Sequence, residues 1–307
     1  MTPRHSAILG TRGSRLALVQ AEQCAASLRS AGIEVEVRII KTTSEQHPDM
    51  PLAVIDQRDV FTRQLDEALL WGEIDLAVHS LKDVPTGVPE AISLAAVTRR
   101  HDPADVLVSD ERYTLNGLPR GSVVATSSLR RRAQLLHHRP DLEVVEIRGN
   151  VDTRVRKMRE GAADAVVLAR AGLERLGLGV PHSVIPTDVV LPAVGQGALA
   201  AAALHDHPLR GHIREALNHG PTEKAALAER AMLRALEGGC RVPVGASSAV
   251  EGSVVRLRGI VISPDGALVY RGEAVGEKPD EVGERLALDL LGQGAGVVLG
   301  EIREVRR

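Results

Sequence analysis

The most constraining feature of the chain is a strand that runs through a short polar turn into a long helix, and occurs twice. The first copy is AILGTRGSRLALVQAEQCAASLRSAG, residues 7–32, followed by the alternating EVEVRIIKT of residues 34–42. Apolar residues at helical spacing after a glycine-bearing turn, and then a period of two, describe strand, turn, helix and strand. The second copy lies in residues 121–161. There SVVAT leads through Ser127 and Ser128 into a helix from about Leu129, and EVVEI forms the next strand. Strands alternating with helices in this way build α/β layers around a largely parallel sheet.

Other segments extend the pattern. A helix over FTRQLDEALLWGE (61–73) and a strand over IDLAVHS (74–80) precede LKDVPTGVP, so Lys82 and Asp83 fall just past the carboxyl end of a strand. Open α/β sheets bind ligands at that edge, although a Lys–Asp pair in a turn is commonly just solvated. HDPADVLVS (101–109) opens the second unit, DAVVLARAGLERLGLG (164–179) adds a strand and a short helix, and LPAVGQGALAAAAL (191–204) forms a crossover hinge at Gly195–Gln196–Gly197. From about Asn218 the pattern changes. TEKAALAERAMLRALE (222–237) is a helix with Thr222 as N-cap and Gly238 as its stop. It leads into the loop LEGGCRVPVGA, residues 236–246, which carries Cys240. Short antiparallel strands and a last helix over DEVGERLALDLLGQG then make a smaller α+β part.

Composition narrows the functions. The 307 residues suffice for about two or three domains, and the net charge of −2 offers no general basic face for a nucleic acid. One Phe, one Trp and two Tyr leave no base-stacking platform. No apolar run approaches the roughly 18 residues of a membrane span, and the N-terminus lacks the apolar stretch of a secretory signal. The reading is therefore a cytoplasmic protein with neither membrane nor nucleic-acid partner. Of the two cysteines, Cys24 falls in a helical segment and reads as core packing. The two thiols give no metal site.

Against that weak overall charge, arginines gather at the strand ends. Arg12 and Ser14 occupy the first turn, where a helix N-terminus favours an anion; a plain cap beside a solvated arginine is the alternative. Arg130, Arg131 and Arg132 crowd the first turn of the second helix, where cations oppose the helix dipole unless an anion sits before them. Arg148 and Arg154 follow the next strand, and Arg175 lies in the short helix after the one beyond. Such clusters recognise carboxylate or phosphate groups.

The motifs TRGSRLALVQ (11–20), DLAVHSLKDVP (75–85), ATSSLRRRAQL (125–135), IRGNVDTR (147–154), LPAVGQGAL (191–199) and AERAMLRALEGGCRVPVGA (228–246) occur in one order. Together they make the chain resemble the porphobilinogen deaminases over essentially its whole length. The resemblance implies two periplasmic-binding-protein-like α/β domains with a cleft between them and a smaller C-terminal α+β domain. The expected bounds are 1–97 with 198–216, 98–197, and 217–307. It implies a dipyrromethane cofactor joined by a thioether to Cys240, porphobilinogen as substrate, head-to-tail addition with loss of ammonia, and a monomer that makes hydroxymethylbilane. By the same resemblance Asp83 is catalytic. Lys82, Thr126, Ser127, Ser128, Arg130 and Arg131 hold the cofactor, and Arg12, Ser14, Arg148, Arg154, Arg175 and Gln196 hold the substrate.

One block departs from the family. Its members usually carry a glycine-rich run with one or two cations before a phenylalanine, as a loop covering the cleft. Here the run reads VIDQRDVF, residues 54–61. Val54 and Arg58 stand at the two cation positions before Phe61, the glycines are gone, and Asp56 and Asp59 add negative charge. Slower or altered elongation is expected. A divergent paralogue that binds pyrrole carboxylates without elongating is the alternative.

Overall fold

The computed structural model describes residues 5–41, 62–236 and 242–304. Its first sheet contains β1 (His5–Thr11), β2 (Ile33–Ile39), β3 (Leu76–Ser80), β4 (Ile92–Val97) and the late strand β10 (Leu199–Leu204), in the order β2-β1-β3-β10-β4. Strand β1 pairs in parallel with β2 and β3, whereas β10 is antiparallel to both of its neighbours. Alternation along β1 divides the core. Ala7 and Leu9 pack with Ala21, Cys24, Ala25 and Leu28 of α1 (Arg15–Ser30) and with Ile213 and Leu217 of α6 (Arg210–Leu217). Cys24 is thus a core thiol, as expected. On the opposite face Leu65, Ala68 and Leu69 of α2 (Arg63–Leu70) pack with Ile74 and Ala77.

The second sheet repeats this plan with β5 (Asp105–Val108), β6 (Val123–Ala125), β7 (Glu143–Val145), β8 (Ala165–Ala169) and β9 (His182–Ile185). Its order is β7-β6-β8-β5-β9, with β6 parallel to β7 and β8, and β5 antiparallel to β8 and β9. Helix α3 (Leu129–His138) covers one face through Leu135, and α4 (Val151–Lys157) and α5 (Arg170–Leu176) cover the other through Val155 and Leu173. In each sheet one strand, β1 in the first and β6 in the second, ends in a short turn that enters a helix, as the repeated sequence pattern predicts.

The third sheet is the antiparallel meander β11 (Val244–Glu251), β12 (Val254–Ile262) and β13 (Val269–Gly276). Helices α7 (Gly220–Ala235), α8 (Pro279–Gly292) and α9 (Gly296–Glu304) belong to this part. Met232 and Leu286 are among the residues that join Leu257 and Val261 in its core. The fold is therefore α/β with two five-stranded sheets and a smaller α+β part. By compactness the chain divides into Met1–Arg100 with Ala198–Glu223, and His101–Gly197 with Lys224–Arg307.

Two local expectations are corrected. Helix α7 begins at Gly220, so Thr222 is not its N-cap; Pro221 is tolerated in a first turn, where no intrahelical N–H is needed. The Thr222 hydroxyl instead accepts the N–H of Arg100 and bonds to the His219 ring. The chain also does not end on α8, because α9 follows.

Candidate active site

In the first unit, the ends of β1 and β3 and the start of α1 enclose a small pocket. Arg12, Ser14, Gln20, His79, Ser80 and Asp83 line it, with Leu16, Ala17 and Val78 as its apolar wall. Ser14 has extended backbone and its hydroxyl accepts the N–H of Ala17 at 3.3 Å, which makes it the N-cap of α1. Gln20, on the next turn, reaches across to the Ser80 hydroxyl at 2.9 Å and fastens α1 to the end of β3. The chain beyond Ser80 closes into a single 3₁₀ turn, Leu81–Asp83, with Leu81 buried beneath it. That turn leaves Lys82 and Asp83 half-buried at the carboxyl edge of the sheet, where the sequence places them. His79 is buried, and burial together with the Arg12 charge lowers its pKa to about 4. The imidazole is therefore neutral at neutral pH.

The corresponding turn of the second unit is Thr126–Ser127–Ser128. Ser128 caps α3, accepting the N–H of Arg131 at 3.4 Å. Thr126 is buried and accepts the N–H of Ser128 at 3.2 Å, and the Ser127 hydroxyl donates to the carbonyl of Ile147. These two hydroxyls shape the turn.

The anion that the crowded arginines require is supplied by the chain itself. Asp105, the first residue of β5, is fully buried, and its Oδ2 accepts from Arg130 Nη2 at 2.8 Å while its Oδ1 accepts from Arg131 Nη2 at 2.7 Å. Burial pushes the Asp105 carboxyl up, but the two arginine charges and their hydrogen bonds outweigh it and hold the group well below the usual carboxylate range. Arg130 also donates to the carbonyl of Leu191 at 2.5 Å, and Arg131 to that of Val167 at 3.0 Å. Gln196 is equally buried. Its amide donates to Asp105 Oδ1 and to the carbonyl of Pro103, both at 2.7 Å.

Two buried guanidinium groups against one buried carboxylate leave a net positive charge. In addition, Nε of Arg130 and Nε of Arg131 are buried without an acceptor among the described residues. Unsatisfied buried donors on an uncompensated cation suit a ligand carboxylate. The other arginines of this unit are more open. Arg148 pairs with Glu146 at 2.8 Å, Arg154 Nε donates to the carbonyl of Gly149 at 2.8 Å, and Arg175 donates to the carbonyl of Gly197 at 2.7 Å. Cys240, Arg58 and Phe61 lie outside the described residues.

Sequence reasoning missed Asp105, His79 and Gln20 as parts of these sites. The signal for Asp105 was present as one acid opening the otherwise apolar DVLV.

In each unit arginine and serine side chains stand where a strand runs through a short turn into a serine-capped helix, an arrangement of the α/β class with the chemistry to suit small anions. Residues 7–209 match the family model "Porphobilinogen deaminase, dipyromethane cofactor binding domain", and residues 224–292 match "Porphobilinogen deaminase, C-terminal domain". The chain is 68% identical over 299 residues to a porphobilinogen deaminase of Rubrobacter xylanophilus, covering 97% of this chain and 98% of that one. It is 47% identical over 306 residues to one of Desulforudis audaxviator, with 98% and 99% covered. Among solved structures it aligns with the VFT2 domain of Bordetella pertussis BvgS at 19% identity and a TM-score of 0.40, over 74% of this chain and 91% of that one. The chain belongs to the porphobilinogen deaminase family, enzymes of tetrapyrrole biosynthesis with a dipyrromethane cofactor.

Proposed function

We propose that this chain deaminates porphobilinogen and joins the units head to tail into hydroxymethylbilane, on a dipyrromethane held by a thioether to Cys240. The observation that carries the reading is the pocket in which Arg12 and Asp83 meet. Each porphobilinogen bears carboxylates, which a guanidinium can hold, and a pyrrole N–H, which becomes positive as ammonia leaves. A carboxylate against that N–H stabilises the developing charge, and the effect grows where water is scarce. Asp83 is the group for that task, and it can also take the proton released when the new pyrrole regains aromaticity. Neutral His79 beside it adds no charge to oppose the substrate cation.

Bound dipyrromethane supplies the pyrrole carbon to which the first unit is added. The net positive cluster of Arg130 and Arg131 suits its carboxylates, with Lys82 and Ser128 as further donors. Arg12, Ser14, Arg148, Arg154 and Arg175 are left to hold substrate and lengthening product. Gln196, expected with this set, donates instead to Asp105 and so serves the cofactor arginines. The proposed domains are 1–97 with 198–216, 98–197 and 217–307, a division supported by the three separate sheets. A cytoplasmic monomer completes the reading. Among the described residues no helix is long and apolar enough to cross a membrane.

The test is the intact mass of the purified protein beside that of Cys240→Ser, with ammonia release from porphobilinogen measured on both. The expected result is a mass excess equal to dipyrromethane, and ammonia release, in the unsubstituted protein alone. A bare-chain mass that does not rise on incubation with porphobilinogen would overturn the reading.

A further inference from the structure

The acid that organises the arginine cluster has no part in the reaction set out above. We propose that Asp105 is a positioning residue for the cofactor: it holds Arg130 and Arg131 on its two oxygens and leaves the cluster one anion short, so that a single carboxylate of the dipyrromethane completes it. The inference rests on the reading that these arginines receive that group.

Three features of the geometry carry it. Asp105 does not spend both oxygens on one guanidinium; each arginine takes one, at 2.8 and 2.7 Å. Each arginine is then fixed at a second point, Arg130 by the carbonyl of Leu191 and Arg131 by that of Val167. Two cations that would repel each other are thereby locked side by side with their planes set, and a ligand carboxylate meets donors that need no reordering. The carboxylate is itself fixed, since Gln196 donates to the oxygen that Arg131 uses. Finally, the charge count is specific. Without Asp105 two like charges would be buried together, and with a second acid the cluster would be neutral and would not attract a ligand. Among the described residues Asp105 is the one acid paired with either arginine.

The alternative is an ion pair that merely stabilises the second sheet, and charge-conserving substitution separates the two. The protein, Asp105→Asn and Asp105→Glu are each produced without a supply of porphobilinogen, then incubated with it while intact mass is followed in time. Melting temperatures are recorded in parallel. Asp105→Asn should gain mass about tenfold or more slowly, because a displaced anchor leaves both guanidinium groups misplaced. Asp105→Glu should recover a large part of the rate, whatever its melting temperature. A gain in mass that follows melting temperature across the three, or an unchanged rate in Asp105→Asn, overturns the proposal. Should Asp105→Asn fail to fold, Gln196→Met decides, since it removes a hydrogen bond from Asp105 without changing charge. A severalfold slower gain at a retained melting temperature supports the role, and an unchanged rate overturns it. If the unsubstituted protein gains no mass, the cofactor reading itself fails, and the role of Asp105 falls with it.

Discussion

The backbone N–H of Gly195 lies 2.8 Å from Oε2 of Glu229, a carboxylate with no solvent exposure. Its other oxygen accepts the Ser248 hydroxyl at 2.5 Å, so one buried acid of α7 ties β11 to the segment that carries Gln196. Glu229→Leu keeps much of the volume but removes both acceptors, so the buried Gly195 N–H loses its partner. An unfulfilled buried partner costs about 1–3 kcal/mol. Urea unfolding should show a loss in that range, and a change below about 0.5 kcal/mol would show that the carboxylate is not what holds Gly195.

His79 makes the first unit sensitive to acid. Its pKa in the folded chain is about 4, against 6.5 as the ordinary value, so between these pH values the unfolded chain binds a proton that the folded one excludes. Stability therefore falls as pH drops through this window. The loss is about 2 kcal/mol between pH 8 and pH 5 for this group alone. Arg12→Gln removes the smaller of the two causes and should move the His79 titration up, as read from its ring protons by NMR. His79→Asn should flatten the dependence of unfolding free energy on pH over this range. A slope that survives the substitution would assign it elsewhere.

Gly283 in α8 sets how closely that helix approaches α7. A Cβ there would fall 2.3 Å from the carbonyl oxygen of Ala228 and 2.6 Å from the backbone nitrogen of Met232. Helix propensity alone favours alanine by about 1 kcal/mol, but backbone atoms cannot yield as side chains do. Gly283→Ala should therefore destabilise, by about 1–3 kcal/mol. Gly300 in α9 is the control, because nothing among the described residues lies within 4 Å of its Cβ position. Gly300→Ala should be neutral or stabilising by up to about 1 kcal/mol in the same thermal melts.

The two strand–turn–helix entries were legible because their signals are local. Ser14 and Ser128 cap the helices that the periodicity predicts, and Lys82 and Asp83 fall at a strand end that apolar IDLAVHS announces. What was not legible depends on distant pairing. β10 completes the first sheet from more than 100 residues downstream of β3 and β4; its apolar run was visible and the resemblance put residues 198–216 with the first domain, but the antiparallel pairing with both strands was not legible. The same holds for the arginines of α3. Their dipole conflict pointed to an anion, but its source is Asp105, 25 and 26 residues upstream, so part of the binding capacity read from the sequence is already used within the protein. The short helix α9 was missed because VVLG gives too little periodicity to separate helix from strand.

Arg12 and Asp83 share one pocket yet are assigned opposite tasks, so their loss should register in different constants. Arg12 holds a carboxylate that is charged before and during the reaction, and its contribution is nearly the same in ground and transition states. Arg12→Gln should raise KM for porphobilinogen about 10- to 100-fold with a smaller change in kcat. Asp83 faces a charge that exists only as ammonia departs. Asp83→Asn should lower kcat by about 10²–10³ and leave KM within a few-fold. Initial rates of ammonia release across a range of porphobilinogen concentrations separate the two, on protein whose cofactor content has been checked by mass. If Asp83→Asn raised KM and spared kcat, the carboxylate would be a binding group, and the cation-stabilising role would pass to another residue of the pocket.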